Sequence, residues 1–266
     1  MKLQTCFVGC SYTAGSGFVN ERFEENLWTM LLHCNTDVLV GTEYVNLGIP
    51  GGSNEQIFTA AAQALASQQP KFLFVQWTSY PRFTFLLGLE TYKTYQTFSW
   101  EAKLCDHNLH DLHYDAGYLQ KVAERFLALE HPHNQIENVV RYCNILVNLS
   151  KQIGTTVFFI NGACSWDKDY FVKLHNILPN QYTTETQKLL QTATRDDSEV
   201  FQLYDRIHSD YQQHGGIQSN HWLNLYQSLR QQQFDTNQDN RHPGIQSNRL
   251  FFKTLSQSLA DNLDKI

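Results

Sequence analysis

The chain has 266 residues, of which 42% are hydrophobic and 17% are charged, and its net charge is −6 at pH 7. This length and composition predict one large folded domain and argue against disorder. The negative charge, without a dense run of Lys or Arg, makes nucleic acid and anionic membranes poor partners. No stretch is long and apolar enough to predict a membrane span.

The cysteines and the first residues indicate a compartment. Six cysteines are scattered along the chain without a CxxC pair, a pattern typical of reduced thiols in a cytoplasmic protein. The first apolar run is short and is interrupted by Gln4 and Thr5, so it predicts a first strand and not a secretory signal. The expected localisation is cytoplasmic.

Apolar strand patterns alternate with helical patterns, which predicts βαβ units and a parallel sheet. The predicted strands cover about 3–10, 38–40 with 44–47, 71–77 and 156–161. The predicted helices cover about 20–33, with Phe23, Leu27, Met30 and Leu31 at helical spacing, then 53–67, 135–152, 219–230 and 248–264. Ser53 or Asn54 is the expected cap of the second helix. An aromatic-rich segment at about 85–131 predicts a helical insertion over the sheet edge.

The first predicted strand ends in Gly9, Cys10 and Ser11, and a Gly-containing turn follows. In open α/β sheets ligands bind at the carboxyl edge of the strands, so Ser11 is a candidate nucleophile. Near the C-terminus, Asp239 stands three residues before His242. A base and an orienting carboxylate on one short segment complete the order Ser, Asp, His of a serine hydrolase.

A second Asp/His pair competes with this assignment. Residues 214–220 are echoed by residues 242–248, and Asp210 precedes His214 as a rival pair. Both copies are interpreted as turns that open a helix, with Ser or Asn as the N-cap. Spacing and position near the C-terminus favour Asp239 and His242.

These residues together resemble the SGNH (GDSL-type) hydrolase family. Residues 9–11 (Gly-Cys-Ser) resemble the first block of that family, which usually has Gly-Asp-Ser. Residues 46–51 (Asn-Leu-Gly-Ile-Pro-Gly) resemble the second block, and residues 239–243 (Asp-Asn-Arg-His-Pro) match the last. The resemblance implies a three-layer α/β/α fold with a flavodoxin-like parallel sheet, one domain over residues 1–266, and a triad of Ser11, Asp239 and His242.

The resemblance also implies an oxyanion hole made by the N–H groups of Ser11 and Gly51. The family usually completes it with an Asn in a third block, where this chain has residues 77–82 (Trp-Thr-Ser-Tyr-Pro-Arg). Loss of one such donor costs roughly 3 kcal/mol of transition-state stabilisation. Candidate hydroxyl replacements are Thr78, Ser79 and Tyr80. Trp77 and Arg82 are candidate substrate contacts, with Arg82 either an anchor for an anionic group or a solvated charge.

The activity implied by the resemblance is hydrolysis of an ester through an acyl-Ser11 intermediate. The expected partner is a small-molecule acyl ester, such as an acetyl ester of a metabolite or sugar. An acyltransferase with the same triad is one alternative, since hydrolysis and acyl transfer share the first half-reaction, in which acyl-Ser11 forms. A catalytically inactive binding protein on the same fold is the other.

Other patterns favour no cofactor. His107, His110 and His113 have helical spacing, and a solvated face is preferred over a metal site. Residues 235–246 begin like a calcium loop, but Asn240 and Gln246 stand where Gly and Glu belong. Phosphate-binding glycine motifs are absent from the sequence, so no nucleotide cofactor is expected.

Overall fold

The computed structural model describes residues 3–16, 25–78, 82–86, 92–96, 103–104, 132–162, 222–223, 233–236 and 242–263. The strands in these ranges are β1 (Gln4–Gly9), β2 (Glu43–Gly48), β3 (Phe72–Trp77), β4 (Arg82–Leu86), β5 (Tyr92–Gln96), β6 (Lys103–Leu104), β7 (Thr156–Asn161) and β8 (Trp222–Leu223). The helices are α1 (Ser11–Ala14), α2 (Trp28–Asn35), α3 (Asn54–Ser67), α4 (Pro132–Ile153) and α5 (Ile245–Leu263). None of these helices combines the length and the apolar character that a membrane span requires.

Five strands form a central sheet in the order β2-β1-β3-β7-β8. All four neighbouring pairs are parallel. Counted within this sheet, the order is 2-1-3-4-5, the flavodoxin-like arrangement. The predicted α/β class with a parallel sheet is therefore confirmed.

Helices cover both faces of this sheet, because successive side chains of each strand point to opposite sides. On one face Val8 and Val75 lie in a buried cluster with residues of α3 and α4. On the other face Phe7 and Phe74 stack at 4.9 Å between ring centroids. They join a second cluster with residues of α2 and α5. The result is the three-layer arrangement that the sequence predicts.

The start of α3 follows from a local sequence signal. Ser53 Oγ accepts a hydrogen bond from the Gln56 N–H at 3.3 Å, and the Gln56 side chain accepts one from the Ser53 N–H at 3.1 Å. This reciprocal capping box satisfies two N–H groups that a helix end leaves without a partner. The predicted cap at Ser53 and the predicted end of this helix at Ser67 are confirmed.

Two predictions between β1 and β2 need correction. Helix α2 begins at Trp28, and its buried residues are Trp28, Thr29 and Leu32. Met30 and Leu31, two of the residues at the predicted helical spacing, lie on this helix and are partly covered. Residues 38–40, predicted as a strand, form a turn whose Val40 is exposed. The predicted position of Phe23 lies outside the described residues.

The helical insertion predicted for about 85–131 is wrong over its described part, because β4, β5 and β6 form a three-stranded antiparallel sheet there. The Thr and aromatic residues of this segment favour strands once a partner strand is present. Residues 105–131 lie outside the described residues. The helix predicted over 219–230 is also wrong at Trp222–Leu223, which pairs with β7 as the fifth strand of the parallel sheet.

Candidate active site

Ser11 lies at the carboxyl edge of the sheet, as the first residue of the single turn α1. Cys10 is extended, and its carbonyl accepts hydrogen bonds from the N–H groups of Thr13 and Ala14, both at 3.0 Å. The chain moves from β1 to β2 on one side and then to β3 on the other, so the strand order reverses beside β1. Ligands of open α/β folds bind in the crevice at such a reversal.

A buried amide on β3 supports this turn from below. The Gln76 side chain accepts a hydrogen bond from Thr13 Oγ1 at 2.7 Å and donates to the Trp77 carbonyl at 3.0 Å. Its Nε2 also lies 3.3 Å from Cys10 Sγ. A Cβ at Gly9 would stand 2.2 Å from Thr13 Oγ1, so only glycine fits there. Sequence reasoning missed Gln76, although a lone polar residue in an otherwise apolar strand was a visible signal.

The second block is tied directly to the first. Asn46 Nδ2 donates to the Thr13 carbonyl at 2.8 Å, and Asn46 Oδ1 accepts from the Gly48 N–H at 2.9 Å. The Ile49 N–H donates to the Gly9 carbonyl at 2.7 Å. These bonds hold the turn after β2 against the turn that carries Ser11.

The backbone N–H groups of Ser11 and Gly51 lie at this edge, and neither has a hydrogen-bond acceptor among the described residues. Gly51 has a φ of 73°, a left-handed conformation that favours glycine. Each N–H is a donor available to a ligand oxygen. These are the same two groups that the family resemblance assigns to the oxyanion hole.

The third block is described only in part. The Thr78 N–H donates to Asn54 Oδ1 at 2.8 Å, and the Thr78 carbonyl accepts from Asn54 Nδ2 at 3.2 Å. Asn54 therefore fixes the backbone directly after β3, and the Thr78 N–H is not available to a ligand. Ser79, Tyr80 and the side chain of Arg82 lie outside what the structure describes.

Trp77, predicted as a substrate contact, is a core residue. Its side chain is 1% exposed and stacks on Phe159 with the ring centroids 6.0 Å apart. It lies in the cluster that α3 and α4 cover. The prediction of a substrate contact is therefore wrong for this side chain, because a buried ring cannot meet a ligand without moving.

His242 lies beside the turn that carries Ser11. Its half-buried ring meets the ring of Tyr12 edge-on, with the centroids 5.8 Å apart and an interplanar angle of 83°. Tyr12 directly follows Ser11, so residues from opposite ends of the chain come together here. Among the described contacts, no hydrogen bond joins Ser11 Oγ to His242. Such bonds are often long without substrate.

Asp239 and the rival pair of Asp210 and His214 lie outside the described residues. The same holds for His107, His110 and His113. Within the described ranges, no group of three or more His, Cys, Asp or Glu side chains is arranged to hold a metal ion.

Asp235 closes the base of the segment that carries His242. Its carbonyl accepts from the Gly244 N–H at 3.0 Å, and Thr236 and Pro243 form an isolated antiparallel bridge. Residues 235–236 and 243–244 therefore lie side by side just before α5. A Cβ at Gly244 would stand 2.4 Å from a carboxylate oxygen of Asp235, so this position requires glycine.

The carboxylate of Asp235 caps α5. It accepts hydrogen bonds from the N–H groups of Gln246 and Ser247 at 2.9 and 2.7 Å, and one from Ser247 Oγ. Burial alone would raise the pKa of Asp235, but these hydrogen bonds outweigh it and hold the pKa below its ordinary value of 3.8. The predicted cap by Ser or Asn within residues 242–248 is therefore wrong, and both oxygens of Asp235 are committed to α5.

Comparison with known proteins gives structural likenesses alone. No family model matches the chain, and no curated protein matches it. A solved structure of a lipolytic protein assigned to the G-D-S-L family, from Desulfitobacterium hafniense DCB-2, matches with 10% identity and a TM-score of 0.45, over 97% of this chain and 100% of that one. The structure of TesA matches with 13% identity and a TM-score of 0.39, over 98% and 99% of the two chains.

Both TM-scores are low, so the fold class stands on the order and direction of the strands.

Proposed function

We propose that this protein is a serine hydrolase of the SGNH type that cleaves carboxylic esters. One observation carries the proposal: the His242 ring lies against the residue that follows Ser11, at the edge where the N–H groups of Ser11 and Gly51 have no acceptor among the described residues. A nucleophile, a base and two oxyanion donors are the parts that acyl transfer needs.

In the proposed reaction, Ser11 Oγ attacks the ester carbonyl while His242 takes the hydroxyl proton. The tetrahedral oxyanion accepts hydrogen bonds from the N–H groups of Ser11 and Gly51. When this tetrahedral intermediate breaks down, the bond to the alcohol oxygen breaks, and His242 returns the proton to the leaving alcohol. Water, deprotonated by His242, then attacks acyl-Ser11. The bond between Ser11 Oγ and the acyl carbon breaks, His242 returns the proton to Ser11 Oγ, and the acid is released. Asp239 is proposed to orient the imidazole and to stabilise its charged form.

A third oxyanion donor is proposed to come from a hydroxyl of Thr78, Ser79 or Tyr80, because the backbone N–H of Thr78 is already bonded to Asn54. Two backbone donors without a third side-chain donor would leave the reaction slower by roughly 3 kcal/mol of barrier. The proposed substrate is a small-molecule ester with a short acyl group, such as acetyl.

The test is hydrolysis of p-nitrophenyl acetate, butyrate and octanoate by the wild-type protein, by Ser11→Ala and by Ser67→Ala. Ser67 Oγ donates to the Gln63 carbonyl of its own helix, far from the Ser11 turn in the chain, so Ser67→Ala is the control. We expect hydrolysis that Ser11→Ala abolishes, that Ser67→Ala retains, and that is fastest with the shortest chain. Equal hydrolysis by the wild type and Ser11→Ala would refute the proposal. Adding alcohol acceptors and analysing the products separates hydrolysis from acyl transfer.

A further inference from the structure

The Ser11 turn is bonded to α2 by a buried indole. Trp28 is 1% exposed, and its Nε1–H donates to the Tyr12 carbonyl at 3.1 Å. The same indole meets the ring of Phe7 edge-on, with the centroids 5.8 Å apart. The indole is therefore fixed by β1 on one side, and it holds the backbone one residue after Ser11 on the other.

The segment that carries His242 is bonded to α2 by a buried amide. Asn248 on α5 is 2% exposed, and its Nδ2 donates to the carbonyls of Pro243 and Gly244 at 3.2 and 2.9 Å. Its Oδ1 accepts the backbone N–H of Trp28 at 3.1 Å. Pro243 directly follows His242, so this amide holds the backbone one residue after the proposed base.

Trp28 and Asn248 thus connect the two halves of the proposed active site through a single residue of α2. The connection is closed by the contact between the rings of Tyr12 and His242. Both side chains are buried, and loss of a partner there leaves a polar group without compensation from water. Side chains bonded on several sides in this way have little freedom to move.

We propose that Trp28 and Asn248 act as a brace, a pair of positioning residues that sets the distance and orientation of His242 relative to Ser11. The inference rests on the proposed function for its catalytic meaning. The competing explanation is that Asn248 only caps the first N–H of α2, which predicts a loss of stability and nothing more. The brace predicts that a change at Trp28 or Asn248 also displaces the His242 ring, whereas a simple cap predicts that the ring keeps its position.

The test uses three variants. Trp28→Phe keeps an aromatic ring and removes the indole N–H, and Asn248→Ala removes the amide. Phe251→Leu is the matched control, because Phe251 lies on α5 in the same buried cluster but outside the brace. Melting temperature reports stability. The rate at which a fluorophosphonate labels Ser11, measured as a function of pH, reports how reactive the Ser11 hydroxyl is. The imidazole NMR resonances of His242, assigned by their absence in His242→Gln, report the environment of the proposed base.

We expect Trp28→Phe and Asn248→Ala to slow labelling by about 10- to 100-fold. We also expect them to shift the His242 resonances, while Phe251→Leu lowers the melting temperature without either change. If Trp28→Phe matches Phe251→Leu in both readouts, the brace is refuted. If the wild type itself is not labelled, the proposed function fails. The His242 resonances then decide alone: a shift in Trp28→Phe but not in Phe251→Leu supports the brace, and no shift refutes it.

Discussion

The two halves of the candidate active site are built in different ways. In the Ser11 half, backbone packs closely against backbone: the Ile49 N–H donates to the Gly9 carbonyl and joins the turns after β1 and β2. The side chains of Gln76 and Asn46 are hydrogen-bonded to the same turn. The His242 half is held by side chains. The Asp235 carboxylate accepts from the N–H of Ser247 at the start of α5, and Asn248 donates to the carbonyl of Pro243.

This difference predicts how each half fails. Close backbone packing has no room for added atoms, so the Ser11 half is sensitive to crowding. A segment held by buried polar side chains is sensitive to the loss of single hydrogen bonds. The most damaging substitutions should therefore add atoms in the Ser11 half and remove hydrogen-bonding groups in the His242 half.

The largest expected effect on the rate of ester hydrolysis comes from substitution of His242 itself. We expect His242→Gln to lower the rate of ester hydrolysis by about 10³-fold or more, because no other base is proposed to take the Ser11 proton. Stability should change little, since the ring is only half-buried. His33→Gln is the control: that ring also lies half-buried against a tyrosine, Tyr44, but it is on α2. Equal loss of hydrolysis rate in both variants would contradict the assigned role.

The Ser11 half should be disrupted by a single methyl group. In Gly48→Ala the new Cβ would stand 2.3 Å from the backbone nitrogen of Ala14. We expect the free energy of unfolding, measured with urea, to fall by about 2–3 kcal/mol. Gly41→Ala separates crowding from backbone strain, because Gly41 has a φ of 90° but open space around it. That control should cost about 1 kcal/mol, and an equal cost in both variants would show that crowding is unimportant.

A smaller effect is expected at Asp235, at the base of the segment that carries His242. Asp235→Asn places an amide among the N–H donors of α5 and should cost about 1–2 kcal/mol of stability at pH 7. Because the folded pKa of Asp235 lies below the unfolded value of 3.8, its contribution is present above that pH. It is lost as the pH falls through the folded pKa.

The difference in stability between wild type and Asp235→Asn should therefore shrink in acid unfolding experiments below pH 3.8. Asp261→Asn, on the exposed end of α5, should change the free energy of unfolding by less than about 0.5 kcal/mol. A constant difference between wild type and Asp235→Asn from pH 7 to pH 3 would argue against a cap by the ionised carboxylate.

The smallest effect is a difference in thiol reactivity. Cys10 is fully buried beneath Ser11, whereas Cys34 is exposed at the end of α2. Burial raises the pKa of Cys6 to about 11 and raises the pKa of Cys143 well above its ordinary value. We expect iodoacetamide at pH 8 to modify Cys34 before Cys6, Cys10 and Cys143, as read by peptide mass. Modification of Cys10 as fast as Cys34 would show that the Ser11 half opens readily.

Local signals made much of this fold predictable. The alternation of apolar strands and helices gave the parallel sheet, and the polar pattern at Ser53 gave the start of α3. The position of Ser11 followed from a strand ending in Gly9 and Cys10. Each of these depends on residues that are neighbours in the chain, where periodicity and turn chemistry are visible.

What the sequence did not reveal depends on distant partners. Strand β5 was interpreted as helix because its pairing with β4 and β6 is a property of the sheet. The role of Asn248 was hidden for a similar reason, since its partner Trp28 lies 220 residues away. A polar residue in an apolar pattern marks such a site, but the pattern does not name the partner.

Intact-mass analysis after incubation with a fluorophosphonate tests the central claim most directly, that Ser11 is a nucleophile activated by His242. The wild type, Ser11→Ala and His242→Gln are compared under the same conditions. The account predicts a single adduct on the wild type, none on Ser11→Ala, and greatly slowed formation on His242→Gln. An adduct that survives in Ser11→Ala, or one that forms at the wild-type rate in His242→Gln, would contradict it.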